Sequence, residues 1–288
     1  MASKSFTDSN MIIWGGVMKL KYLGTSAAEG FPAVFCRCEY CLEARKLKGK
    51  NVRTRSQTII NDDLLIDLPA DTYMHFLNND IEGDKIKFLL VTHSHPDHFY
   101  YEELENRFPP FSHNMRTETL ELFCGQGVYD KIMKKGVPEN VKAEKISPFE
   151  TKNIGNYRIT AFPANHMKGD GALFYMIESD KTLLYAHDTG YFKEEVINYM
   201  KDKKLRFDMV SFDCTNVDIP ISDSGSHMGL ENIERLIKKL SEIGCIDKSS
   251  KLYINHFSHN ANPIHHVLEE RVKNMNLSVS YDGLEVEI

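Results

Sequence analysis

The seven residues Thr92-His93-Ser94-His95-Pro96-Asp97-His98 constrain this chain more than any other stretch. Three imidazoles and one carboxylate packed so closely form a ligand set for a borderline transition metal. Just ahead, Ile86-Lys87-Phe88-Leu89-Leu90-Val91 is apolar and partly β-branched, as a buried strand requires. On an extended chain His93 and His95 point to one side. Pro96 suits the first turn of a helix, which swings Asp97 and His98 to a second position nearby. One loop at a strand end thus offers two adjacent metal positions. A two-metal site takes about six or seven protein groups, so further ligands must come from elsewhere.

The remaining candidates also follow expected strands, where loops carry function. His166 comes after Ala161-Phe162-Pro163, Asp188 after Leu183-Leu184-Tyr185-Ala186-His187, and His256 after 251–255. Six cysteines divide into a bunch at 36, 38 and 41 and a scatter at 124, 214 and 245, which is unlike a secreted disulfide framework. Three bunched thiolates can wrap one face of a tetrahedral zinc ion if a fourth ligand arrives; redox-active thiols and reduced surface cysteines are the alternatives. Cys124 and Cys245 read as buried small hydrophobes.

A chain of 288 residues with 42% hydrophobic and 26% charged residues suits an ordinary globular α/β protein. The formal charge of −6 gives no general pull toward nucleic acid or anionic membranes. No apolar run approaches the roughly 18 residues of a spanning helix. The apolar patch at 11–14 is too short for a signal-peptide core, so a cytoplasmic location is the default. Met18 reads as an alternative start, with 1–17 an N-terminal extension and 18–288 a single domain.

Strands are expected at 18–24, 56–60, 64–67, 86–91, 120–124, 157–163, 172–178, 182–186, 207–213, 251–255, 277–281 and 284–288. Helices are expected at 70–78, 101–108, 128–135, 191–203 and 230–243, with another opening at Asn262-Pro263. The basic segment 45–55 reads as a solvated face.

In order, His93-x-His95-x-Asp97-His98, His166, Asp188 and His256 resemble the motif layout of the metallo-β-lactamase fold, with Asp67 matching its first motif. The closer resemblance is to PhnP-type phosphodiesterases, with PqqB-like proteins next. It rests on Leu23-Gly24-Thr25, Gly30-x-Pro32, Cys36-x-Cys38-x-x-Cys41, Asp213-Cys214, His256-x-x-His259 and Asp282-Gly283-Leu284-Glu285, and spans nearly all of 18–288.

That resemblance implies an α/β (α+β) chain folded as an αβ/βα four-layer sandwich. It implies that His93, His95 and His166 hold one metal, that Asp97, His98 and His256 hold another, and that Asp188 bridges them. It also implies a closed structural zinc on Cys36, Cys38, Cys41 and His259. The active-site donors accept Zn²⁺, Mn²⁺ or Fe²⁺. The implied chemistry is hydrolysis of a small or cyclic phosphodiester by metal-activated hydroxide, with Asp97 and Asp188 in the catalytic centre. His227 would be the general acid, and Lys168 a phosphate contact. No membrane or nucleic-acid polymer is expected as a partner, and a homodimer stays open. The alternatives are a hydrolase of another ester, thioester or amide, and a non-hydrolytic PqqB-like cofactor-biosynthesis protein. Two departures stand out: His187 occupies a position that is small in PhnP-type proteins, and the aromatic segment 99–118 is expected to shape the substrate mouth.

Overall fold

The computed structural model describes residues 17–288; the rest of the expected extension, with its 11–14 patch, lies outside the described residues. One sheet contains β1 (Lys19–Gly24), β2 (Gln57–Ile60), β3 (Leu64–Ile66), β4 (Phe88–Val91), β5 (Leu120–Cys124) and β6 (Val141–Lys145). A second runs through β7 (Thr151–Ile154), β8 (Tyr157–Pro163), β9 (Leu173–Glu178), β10 (Thr182–Ala186), β11 (Met209–Asp213), β12 (Lys251–Asn255) and β13 (Ser278–Val279). The last strand, β14 (Glu285–Glu287), returns to pair antiparallel with β1.

Alternation along the strands explains how these sheets stack. Leu20, Tyr22, Leu64, Ile66 and Leu90 face Tyr175, Ile177, Tyr185 and Met209 in one buried cluster between the sheets. On the opposite face of the first sheet, Leu65, Leu89 and Leu122 meet Leu104 of α3 (Glu102–Glu105) and Val128 and Ile132 of α4 (Gln126–Lys135). Outside the second sheet, Phe174, Leu184, Val210 and Ile254 pack on α5 (Glu194–Asp202), α6 (Leu230–Glu242) and α7 (His265–Val272). Helices cover both outer faces, which is the expected four-layer sandwich.

Strands β3 through β6 pair in parallel, as do β10 through β13. Parallel neighbours need crossovers, so successive strands deliver their C-terminal ends to one edge of each sheet. Asp67, Thr92, His187 and His256 each follow such an end.

Several local expectations change. Pro96 starts one turn and no helix: the His98 and Phe99 N–H groups both donate to His95 O, at 3.0 and 2.7 Å, and Tyr100 N–H then donates to Leu68 O (2.8 Å). The segment 45–55 is not simply solvated. It contains the end of α1 (Glu39–Leu47), and Arg53 is buried, donating to Thr25 Oγ1 (2.9 Å) and Ser280 O (2.7 Å). Asn262 takes a left-handed conformation (φ 51°), so the last helix begins at His265, beyond Pro263. Strands β6 and β7 were not expected. Lysine and glutamate occupy much of β6, which suits an exposed edge but hides its periodicity.

The segment 99–118 also behaves differently from expectation. The Arg107 guanidinium donates to the carbonyls of Gly83, Ile86 and Thr117 at 3.2, 3.4 and 3.3 Å, drawing the loop over the outer face of the first sheet. There Phe111 and His113, with Tyr73 and Phe76 of α2 (Thr72–Asn78), line a cavity of about 680 Å³. None of the active-site ligand candidates lines it.

Candidate metal centres

The histidine loop closes on itself because its two ends are anchored. Asp67, at the end of β3, accepts hydrogen bonds from Thr92 N–H (2.7 Å) and Thr92 Oγ1 (2.9 Å) through Oδ1. Its Oδ2 lies 2.7 Å from His98 Nδ1. Asp170 receives Ser94 N–H (3.1 Å) and Ser94 Oγ (2.5 Å). The expected alignment of His93 and His95 holds, with ring centroids 4.6 Å apart.

The structure brings the predicted active-site residues into overlapping groups whose donor atoms lie within 4.8 Å of one another: His93, His95 and His166; Asp97, His98 and His256; and His93, His98 and Asp188. Asp188 stands between the two triads. Its Oδ2 is 2.9 Å from Nε2 of His98 and 2.9 Å from Nε2 of His256, while Oδ1 is 3.7 Å from Nε2 of His166. Lys168 is exposed.

The outer nitrogens are already committed. His98 Nδ1–H donates to Asp67, His256 Nδ1 lies 2.8 Å from Thr215 Oγ1, and His166 Nδ1–H donates to Ser226 O (3.2 Å). Such partners leave the Nε2 lone pairs turned inward. His98 Nε2 and His256 Nε2 approach to 3.3 Å, about the edge of a tetrahedron with metal–nitrogen bonds of about 2.0–2.1 Å. Despite its close neighbours, buried Asp188 Oδ2 makes no hydrogen bond of acceptable geometry. An orphaned carboxylate oxygen and converging nitrogens fit a divalent cation.

Burial is uneven across the centre. His93, Asp97, His98, Asp188 and His256 are buried, whereas His95, His166 and His227 retain some exposure. The centre is therefore open on the side of the latter three. His227 Nδ1–H donates to Asp213 Oδ2 (2.9 Å), and the His227 and His166 rings meet edge to face at 4.8 Å. Burial pushes the His227 pKa down, but Asp213 and then Asp188 outweigh it and raise it to about 9. Asp213 itself accepts N–H bonds from Asp188 (3.1 Å), Thr215 (3.1 Å) and Met228 (3.0 Å).

Asp213 and Thr215 were not singled out as site residues. A carboxylate at the end of buried strand β11 was the available signal for Asp213. A threonine carries no such mark. Asp67, Asp188 and His256 also share positive φ values of 64°, 49° and 63°, an uncommon state for non-glycine residues. Gly190 follows closely: a Cβ there would sit 1.9 Å from Gly225 O, so only glycine lets this turn meet the 219–226 segment.

Cys38 Sγ and Cys41 Sγ are 3.7 and 3.6 Å from His259 Nδ1, and Cys36 completes a set of four donors within 4.8 Å. Bonds of about 2.3 Å to sulfur and about 2.0–2.1 Å to nitrogen give a tetrahedral S–N edge of about 3.6 Å, so the set fits zinc. The Cys38 N–H bond to Cys36 Sγ (3.3 Å) lowers the Cys36 pKa, whereas burial pushes Cys41 up to about 12. Arg45 ties the loop by donating to Ala33 O (2.7 Å), Cys36 O (2.9 Å) and Cys41 O (3.2 Å). Cys124 and Cys245 are buried, as expected.

A family model described as the beta-lactamase superfamily domain matches residues 66–257, more than half the chain. Among curated proteins, coenzyme PQQ synthesis protein B of Acinetobacter baylyi is 23% identical over 94% of this chain and 100% of its own length. Among solved structures, a diphosphatase of the PhnP family superposes with a TM-score of 0.73 at 20% identity, covering 95% of this chain and 98% of that one. Zn²⁺-bound PqqB of Methylobacterium extorquens gives 0.71 at 20% identity, covering 94% and 100%.

Proposed function

The chain belongs to the beta-lactamase superfamily domain family, and from that premise we propose a dinuclear metal-dependent phosphodiesterase acting on small or cyclic phosphodiesters. The observation that carries the reading is Asp188, which turns one oxygen toward each histidine triad beside an acid placed on the open side. His93, His95 and His166 would hold one divalent ion, Asp97, His98 and His256 a second, and Asp188 would contact both. When bound, the ions lower the pKa of water and neutralise charge on the phosphoryl oxygens.

The chain's own groups do the rest. Asp67 and Thr215 fix the tautomers of His98 and His256. Asp213 engages Nδ1–H of His227, leaving a second proton at Nε2 for the departing alkoxide oxygen. The Asp213 carboxylate against its Nδ1–H raises the His227 pKa and so favours the protonated, proton-donating form. Lys168 is assigned to the substrate phosphate. A net charge of −6 favours a small substrate over a nucleic-acid polymer, and a cytoplasmic setting goes with this proposal.

Purified protein loaded with Mn²⁺ or Zn²⁺ should hydrolyse a chromogenic phosphodiester in preference to a phosphomonoester, a thioester or a β-lactam. Preferential thioester or amide turnover would move the substrate class. Full metal content with no turnover would favour a non-hydrolytic role, the reading supported by the full-length similarity to the PQQ synthesis protein. His227→Ala should lower kcat by about 10²-fold or more with metal content unchanged. Loss of metal instead would make His227 a ligand.

A further inference from the structure

Two of the left-handed residues, Asp188 and His256, sit one place beyond a matched pair of side chains at the ends of β10 and β12. Strand β11 lies between β10 and β12, with Ala186 opposite Phe212 and Asp213 opposite Asn255. His187 and Asn255 therefore occupy corresponding positions, one immediately before each left-handed residue. Their side chains meet across β11: Asn255 Nδ2–H donates to His187 Nδ1 at 3.1 Å. That contact places the imidazole proton on Nε2, which donates to Ser211 Oγ of β11 at 2.7 Å.

The network ends on both flanks. Tyr22 Oη lies 2.7 Å from Ser211 Oγ, reaching the first sheet, and Ser280 Oγ–H donates to Asn255 Oδ1 at 2.5 Å. His187, Ser211, Asn255, Ser280 and Tyr22 all have 0% exposure. The His187 ring also lies 3.9 Å, centroid to centroid, from that of Tyr185. Apolar side chains would fill this layer between the sheets without needing any of these partners. Instead each side-chain polar atom of His187 and Asn255 is hydrogen-bonded, and the bond between them joins the ends of β10 and β12.

We propose that His187 and Asn255 are positioning residues: a buried clamp across β11 that fixes Asp188 and His256 in their left-handed conformations and so sets the geometry of the shared metal ligands. The inference rests on the reading of Asp188 and His256 as ligands. Asp188 Oδ2 and His256 Nε2 are 2.9 Å apart, and a shift of either strand end changes that separation directly. The clamp acts through both ligands and touches no substrate. Groups hydrogen-bonded directly to metal ligands are worth about 10–100-fold in affinity, which sets the scale for a clamp one residue away.

Cobalt titration separates the possibilities. The His/Asp centre is read from its d–d bands and by competition with a chromophoric chelator. The cysteine site, read from its thiolate bands, is the internal reference. His187→Phe and Asn255→Leu, which keep approximate volume, should each weaken cobalt at the His/Asp centre about 10–100-fold and alter its d–d bands. The double variant should cost little more than either single one. A merely structural role would lower the thermal midpoint and leave the bands and affinity of folded protein unchanged, which overturns the clamp. If a single variant does not fold, Ser211→Ala removes the Nε2 partner and the Tyr22 Oη contact while leaving His187 and Asn255 in place, and the same bands decide. Wild-type protein that takes cobalt only at the cysteines refutes the ligand reading itself. Normal wild-type uptake matched by the variants refutes the clamp alone.

Discussion

The two candidate metal clusters are held in opposite ways. In the histidine–aspartate centre the ligands hang from the ends of paired strands, and protein groups occupy the outer nitrogens of His98, His166 and His256. In the cysteine cluster the donors come from a loop, the start of α1 and a short turn at His259–Ala261, with Arg45 the main tie. The first geometry is set by hydrogen bonds that exist before any ion arrives. The second brings together residues more than 200 positions apart, where Glu29 already accepts from Ser258 Oγ (2.6 Å) and His259 N–H (3.2 Å), and a bound ion would add a sulfur–imidazole link to that contact. Losing metal should therefore affect chemistry at the first and stability at the second.

The sharpest way to break this contrast is Asp188→Asn. It should reduce phosphodiester turnover by about 10²–10³-fold or more and lower metal content at the centre, with the cysteine-bound zinc and the thermal midpoint little changed. A large fall in midpoint would show that the strand ends depend on the ion. Next, Cys36→Ser should remove one zinc per chain and lower the midpoint by roughly 5–10 °C, while the catalytic pair remains. An unchanged zinc count would rule out the structural site.

The smallest effect probes the buried support beneath Asp67. His75 Nδ1 lies 2.6 Å from Gln57 Oε1, and Gln57 Nε2–H donates to Asp67 O at 3.0 Å. Burial lowers the His75 pKa from 6.5 to about 4, against the opposing pull of Asp71. A depressed histidine means that the unfolded chain binds more protons in this window. Its contribution is complete above pH 6.5 and is lost as the pH falls toward 4. Between pH 7 and 5 this amounts to about 2 kcal/mol. Urea midpoints of wild type and His75→Gln at the two pH values check it: the wild type should lose more stability on acidification.

What could be read from the sequence follows the same divide. His93, His95, Asp97 and His98 stand out because few residue types bind metal and their spacing is tight. Asp188 and His256 gained meaning from their places after apolar strands. The residues that make the centre rigid are less visible. Thr215 and Asn255 are ordinary polar residues whose partners depend on the register of β11 against β12. Arg53 looked like part of a basic surface run, yet its partners at Thr25 and Ser280 lie far away in sequence. The aromatic loop around Phe111 had no local signal for which face of the sheet it would cover.

The turn after β12 supplies His256 to one cluster and His259 to the other. During synthesis, then, a growing chain carries the histidine loop and all three bunched cysteines long before either set is complete. His93, His95 and His166 are all present well before then, whereas the Asp97–His98 group and the cysteine group each gain their last donor only when the same four-residue stretch emerges from the ribosome. Full ligation at those two positions would therefore be deferred until almost the whole fold is available.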